Sequence, residues 1–414
     1  MSETPVRKVR RKMETDVLMT LCIIFLVLFG TVMIASASIT SRSNATRVVV
    51  STSIRQLIYV ALGLATYFYM IMMFNLEQVS KRIVLELMAV GFLLLVTRVF
   101  GNIGGAYAWI SLGPLSFQPS EIAKVFIVLT IAVFMCDKRA TNVKKASTLV
   151  FYPLAVLIIF GFLIIVYESD FGSGFAFMGI GGICFLIPNN KLYKKWQIFI
   201  IIVVILIVIG TVLLMSEEFR EFLTSDATAQ FMSENRVIGK IFNKVAYQFY
   251  RFLSAGNPLW DRFGYSQELL NSLLGMSRGN ITGVGLGNSI QKFGYLASAS
   301  ADYIFPVIVE ELGLIGVACV FVPYFIIYVI LIRYALKVKT EKEKVLLIGT
   351  FSYLFIHMFL NIGGVTAFIP LTGVPLLLIS RGGTSMICTM AILGISQNVI
   401  RKYNARMRDE NNKW

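Results

Sequence analysis

Residues 17–37 read VLMTLCIIFLVLFGTVMIASA, twenty-one residues without a charge, directly after a basic stretch holding Arg7, Lys8, Arg10, Arg11 and Lys12. As an α-helix such a run is about 30 Å long, which matches the hydrocarbon thickness of a bilayer. It is too long and too weakly terminated for a cleaved signal peptide, so it reads as a first membrane span. Working outward with the same window gives further spans at 57–74, 83–100, 122–136, 148–166, 171–187, 196–215, 303–332, 345–369 and 383–400. The expected fold is all-α: a polytopic membrane protein of about ten transmembrane helices.

Composition agrees. Of 414 residues, 57% are hydrophobic and only 15% charged, so the chain lacks the polar surface a soluble protein of this length needs. The 32 Phe and 17 Met suit lipid-facing and helix-packing surface and exclude a disordered or fibrous class. A net charge of +15 would suit nucleic acid, but position argues otherwise. Of the 38 basic residues, 24 fall in alternate loops and the two ends, while the short loops on the other side hold only Arg42, Arg47, Arg55, Arg98 and Arg381. That is the positive-inside pattern, with both termini cytoplasmic, and it removes the main support for a nucleic-acid role. Three parts follow: a basic cytoplasmic segment at 1–16, a ten-helix membrane domain at 17–400, and a basic cytoplasmic tail at 401–414. Within the domain, 216–302 forms one large external loop between helices 7 and 8, and its stretch 241–252 alternates bulky apolar and basic residues as a membrane-surface helix would. The five cysteines lie in apolar runs without paired or metal-type spacing and read as small buried hydrophobes.

Ionisable groups within spans are costly and therefore informative. Glu121 and Lys124 open the fourth helix on one face, after Gln118, Pro119 and Ser120; a structural anchor and a functional pair both fit. Asp170 ends the fifth span before Gly172 and Ser173, where capping the sixth helix and a site role stand level. Gly279, Gly283, Gly285 and Gly287 precede Lys292 in the external loop, a glycine-rich segment whose N–H groups, with the ammonium, suit a phosphate. Asp302 stands at the mouth of the eighth helix. By residue type alone an N-cap is its better reading, and a general base is the other. A single histidine, His357, argues against a histidine cage or a Ser-His-Asp triad; it lies midway in the ninth span and reads as a hydrogen-bonded packing residue.

Four blocks in order, GAYAWI at 105–110 with FQPSEIAK at 117–124, DFGS at 170–173, GVGLGNS at 283–289 through DYIF at 302–305 to EELG at 310–313, and PLTGVP at 370–375 through SRGGTS at 380–385, resemble the SEDS family of shape, elongation, division and sporulation proteins. The resemblance covers nearly the whole membrane core. It implies a peptidoglycan glycosyltransferase that polymerises lipid II at the outer face of the bacterial cytoplasmic membrane, with a class B penicillin-binding protein and other divisome proteins as partners and membrane lipids around it. It also implies Asp302 as the base for the attacking sugar hydroxyl and Glu121 and Lys124 as residues needed for activity. Gln118, Trp109, Lys292, Arg381, Ser380, Gly285 and Gly287 are the expected substrate contacts, and a divalent metal such as Mg²⁺ or Mn²⁺ comes from the resemblance alone. The run LLISRGGTS at 377–385 resembles the FtsW-like division branch, which places the protein at the septum; a RodA-like elongation polymerase is the alternative within the family.

Three positions depart from the family pattern: Ala108 stands where an Arg is common, Ser300 and Ala301 where His-Thr is common, and Arg381 where Tyr is frequent. The loss at 108 removes a phosphate-binding charge, and Arg381 is placed to restore it. Outside the family reading, a lipid II flippase or transporter, or a non-catalytic scaffold, would also use ten helices with buried Glu121, Lys124 and His357.

Overall fold

The computed structural model describes residues 14–39, 45–102, 105–112, 115–136, 146–191, 193–214, 266–296 and 298–411, with 216, 218, 221, 251, 253–259, 261 and 264 between them. The proposed surface helix at 241–252 therefore lies outside the described residues, Arg251 excepted, as do the basic stretches 7–12 and 138–145.

Ten helices match the ten expected spans: α1 Val17–Ala37, α2 Ala45–Met73, α3 Leu76–Val96, α4 Pro119–Phe134, α5 Ala146–Phe162, α6 Phe171–Phe185, α7 Lys194–Leu214, α9 Ile304–Lys337, α10 Glu341–Val365 and α11 Thr384–Asn411. An eleventh, α8 Gln267–Gly279, belongs to the long loop before α9. Seven of the described helices are long and apolar enough to cross a membrane by themselves. The protein is a polytopic membrane protein. Its few strand residues make one hairpin, β1 Ile110–Leu112 against β2 Leu115–Phe117, in which Ile110 faces Phe117.

Helix starts follow their capping residues. The Asp16, Asn75 and Thr340 side chains accept from the backbone of Met19, Glu77 and Glu343, using N–H donors that have no acceptor within the helix's first turn. α11 packs along α2, α4 lies between α6 and α10, and α1 and α10 flank α9. The chain ends meet on one face: Asp16 N–H donates to Gln397 Oε1 at 3.1 Å, and the Asn404 amide donates to the Glu14 carbonyl at 2.8 Å. That common face is the arrangement expected from the charge pattern.

Two irregularities position the site. α5 runs into a π-helical turn, Leu163–Tyr167, and the chain leaves it through Ser169 at φ 60, a backbone conformation rare outside glycine. α9 is broken at Gly313 (φ 59, ψ −144), whose missing Cβ would stand 2.5 Å from the Ile281 carbonyl oxygen. Only glycine meets both demands there.

Candidate functional site

At the end of the bundle opposite the chain termini lies a cavity of about 820 Å³. Four helix N-termini face it, those of α4, α6, α9 and α11, because Gln118, Phe171, Asp302 and Gly383 are all on its wall. Unpaired N–H groups and aligned dipoles make such ends positive, and Arg55, Arg251 and Arg381 add three cations. The carboxylates on the wall are Asp170 and Asp302. The pocket is built to attract an anion while keeping two carboxylates beside it.

Asp302 does not cap its helix. The cap position of α9 belongs to Tyr303, without a side-chain cap bond, so the N-capping expectation fails and the carboxylate is left to the cavity. Its backbone is fixed instead. The Asn361 amide donates both to the Asp302 carbonyl at 2.9 Å and to the Val374 carbonyl at 2.8 Å. Ser380 Oγ donates to the Ala301 carbonyl and accepts from Leu376 N–H, both at 2.8 Å, and Arg381 N–H donates to the Ser300 carbonyl at 2.9 Å. Enclosure in the wall raises the Asp302 pKa to about 7, with Arg251 opposing, Asp170 and Glu268 adding to the rise, and Arg381 opposing. A carboxylate poised there can accept a proton at neutral pH.

Asp170 caps α6, as one of its two readings expects, and also lies on the cavity wall. Its Oδ1 accepts from Ser173 N–H at 3.0 Å, capping α6, while Oδ2 accepts from the Gln118 amide at 2.8 Å. Gln118 also donates to Ser173 Oγ at 3.2 Å, so its side chain ties α4 to α6 on the cavity wall. Trp109 and Arg381 line the same space. Ser380 does not; it is buried and acts by stitching 376–380 to the strand of chain that carries Asp302.

Glu121 and Lys124 are one turn below, buried and off the wall. Lys124 Nζ donates to Glu121 Oε1 at 2.7 Å and contacts His357 Nε2 at 3.1 Å, and Tyr353 OH donates to Glu121 Oε2 at 3.0 Å. His357 Nδ1 lies 2.7 Å from the Tyr353 carbonyl, an acceptor, so Nδ1 carries the proton and Nε2 receives the lysine's. The histidine is the hydrogen-bonded packing residue expected, and the four side chains close on one another.

The glycine-rich loop is not on the cavity either. It does cradle anions, but they are Glu310 and Glu311 of α9. Glu310 accepts from Ser289 Oγ (2.5 Å), Ile290 N–H (3.1 Å), Gln291 N–H (3.4 Å) and Arg278 (3.0 Å). Glu311 accepts from Lys292 Nζ (2.8 Å) and from Ser36 Oγ, and Lys292 also donates to the Gly287 carbonyl at 2.7 Å. Gly285 N–H donates to the Glu311 carbonyl at 3.0 Å. Of the expected substrate contacts here, Lys292 is thus engaged with the Glu311 carboxylate, while Gly285 and Gly287 make backbone bonds within the loop's own packing and none of the three is on the cavity wall.

Sequence reasoning missed Arg55, Gln56 and Tyr59 as wall residues. The hydropathy window begins its second span at 57, whereas α2 begins at Ala45 and carries Arg55 inside the helix. Among the described residues no group of three or more His, Cys, Asp and Glu is arranged to hold a metal.

The class is that of a helical membrane bundle with a pocket at one face, lined by helix N-termini, three arginines and two aspartates. The chain belongs to the family of cell cycle proteins that comprises FtsW, RodA and SpoVE, whose model matches residues 16–405. Similar proteins include the probable peptidoglycan glycosyltransferase FtsW of Enterococcus hirae, 29% identical over 88% of this chain and 85% of that one. The protein of the same name from Bacillus subtilis is 29% identical over 93% and 90%, and stage V sporulation protein E of that organism is 26% identical over 94% and 98%. Among solved structures, one of a peptidoglycan synthase complex that coordinates polymerization and crosslinking matches with a TM-score of 0.68 at 22% identity, covering 94% of this chain and 98% of that one. Rod shape determining protein RodA of Thermus thermophilus matches at 0.59 and 20% identity, over 94% and 97%. At these identities the structures establish the shared fold.

Proposed function

We propose that this protein is a peptidoglycan glycosyltransferase that polymerises lipid II at the outer face of the cytoplasmic membrane, in septal wall synthesis, alongside a class B penicillin-binding protein. The observation that carries the reading is Asp302, a carboxylate freed from capping and set on the wall of a pocket that four helix N-termini and three arginines make positive. Asp302 takes the proton of the acceptor sugar hydroxyl as its oxygen attacks the donor's anomeric carbon and the lipid pyrophosphate departs. Arg55 and Arg381 stabilise the charge that grows on that leaving group, Arg381 supplying what Ala108 lacks. Gln118 and Trp109 shape the wall against the sugars.

Glu121 and Lys124 are positioning residues in this scheme. Their closed network anchors the first turn of α4 and so fixes Gln118 and its bond to Asp170. A divalent metal fits in part: Asp302 would offer a carboxylate from the wall, while both oxygens of Asp170 already accept from Ser173 and Gln118, so a Mg²⁺ held there would draw most of its ligands from water and substrate phosphates. When bound there it would supply further positive charge to the pyrophosphate.

The deciding experiment supplies purified lipid II to the reconstituted protein, with and without its partner, and measures glycan chains. Chains from the wild type and a loss of about 10²–10⁴-fold in Asp302→Asn, with an unchanged melting temperature, are the expected outcome. Lipid translocation without any chain formation would replace this reading with the flippase one.

A further inference from the structure

A second hollow, about 430 Å³, runs along the bundle between α2, α3, α4 and α11, from Asn75 and Arg82 near the face of the chain termini to Ile122 and Ile387, about a turn from Gln118 and Ser385 of the first pocket. Its walls are apolar side chains such as Met70, Met73, Val79, Val125, Leu129 and Ile395. It lies between spans and opens sideways, and a hollow of this lining in a bilayer is filled by hydrocarbon rather than water.

The hollow has a polar end. Arg82 of α3 is on its wall, with Asn75 and Gln78 beside it. Two cations of α11 reach the same rim: Lys402 Nζ donates to the carbonyl of Phe74, itself a wall residue, at 3.1 Å, and Arg401 reaches the carbonyl of Met72 at 3.5 Å. Glu86, one turn from Arg82, offsets part of its charge. Against Arg82, Arg401, Lys402 and Arg406 stand Glu86, Glu77 and Glu343, the last paired with Arg406 at 2.6 Å, so four cations meet three carboxylates and the rim keeps a net positive charge. Lys402, past the end of the eleventh helix's membrane stretch, is held below the usual lysine pKa by burial first and then by Arg401, with Glu343 opposing, Arg406 adding to the fall and Glu77 opposing. By the charge pattern this rim is cytoplasmic, and basic pockets between transmembrane helices on that side are where anionic headgroups bind.

We infer that this hollow binds an anionic glycerophospholipid of the inner leaflet, one acyl chain lying between α2, α3, α4 and α11 and the phosphodiester resting against Arg82, Arg401 and Lys402. The lipid would brace three helices whose other ends reach the catalytic pocket: α2 with Arg55, α4 with Gln118, and α11 following Arg381.

The test measures lipid retention and uses no activity assay, so it stands apart from the reaction. Purified protein is titrated with phosphatidylglycerol or phosphatidylcholine of matched chains and bound lipid is counted by native mass spectrometry. Phosphatidylglycerol should be retained at least tenfold more tightly than phosphatidylcholine. Arg82→Ala/Lys402→Ala should abolish that preference, while Lys339→Ala, an exposed lysine elsewhere on the same face, should keep it. Ala391→Leu, which fills the hollow without touching charge, should lower retention of both lipids. Equal retention of the two lipids by the wild type, or an unchanged preference in the double charge variant, overturns the proposal. So does tighter retention of a polyprenyl phosphate than of phosphatidylglycerol, which would assign the hollow to the substrate's lipid class.

Discussion

The buried charges and the charges on the catalytic pocket are made from the same residue types and arranged on opposite principles. In the Glu121–Lys124–His357–Tyr353 group and the Glu310–Glu311–Lys292 group, each ionised side chain meets partners supplied by the chain itself. Asp302, Arg55 and Arg381 instead face about 820 Å³ of space, and Asp302 is held by its backbone rather than its carboxylate. A closed network of buried side chains has little left to offer a substrate, whereas a carboxylate that lines open space among helix N-termini and arginines does. For the proposed reaction, depth in the membrane therefore does not pick out the base; a place on the pocket wall does.

The contrast breaks first, and hardest, at Lys124. Lys124→Met leaves Glu121 as a buried carboxylate short of its cation, which should cost about 3–5 kcal/mol and show as a large fall in melting temperature in detergent. Adding Glu121→Gln should restore most of the loss, since neither partner is then charged. A melting temperature unmoved by Lys124→Met would mean that the pair is not structural. Arg381→Ala, on the open wall, should do the reverse: folding normally, it should lose about 10- to 100-fold in polymerisation, the worth of a hydrogen bond to a charged group. Full activity in that variant would end the idea that Arg381 stands in for the charge missing at Ala108.

Proton balance sharpens the comparison on the Asp302 side. A carboxylate raised to about 7 is the base only when ionised, so the rate should climb with pH and level off above about 7, falling about tenfold per unit below it. The residual rate of Asp302→Asn should lack that step. A wild-type profile flat from pH 5 to 8 would remove Asp302 from the proton transfer.

The fold was legible because hydropathy and the loop charges are properties of local sequence: all ten expected spans have a helix, and the chain ends share a face. The pocket was legible in part. Asp302, Gln118, Trp109 and Arg381 lie together, although 109 and 381 are far apart in the chain. Two things were hidden. A hydropathy window stops at polar residues whether or not the helix does, which put Arg55 in a loop and out of consideration. A glycine-rich loop beside a lysine shows that an anion is bound but not whose, and only the three-dimensional neighbours identify Glu310 and Glu311. The depth of Glu121 and Lys124 likewise depends on His357, which approaches from more than two hundred residues away.

The smallest expected effect is at Glu168, a buried acid in the turn between the π-helical segment and α6, two residues from Asp170. Burial and then the Asp170 carboxylate push it up to about 9, so at neutral pH it carries its proton. Gln has the shape of that neutral acid, and Glu168→Gln should sit within about 1 kcal/mol of wild type at pH 5, with its polymerisation rate preserved. The two should then diverge in one direction. A carboxyl whose folded pKa is raised stabilises below its unfolded value and loses that contribution as pH rises toward the folded one, while the amide has nothing to lose. The melting temperature of wild type should therefore fall relative to Glu168→Gln between pH 5 and 8. Parallel curves would show that Glu168 is ionised in the native protein, which would make it a second charged acid beside Asp170 and remove the distinction drawn between networked carboxylates and those on open space.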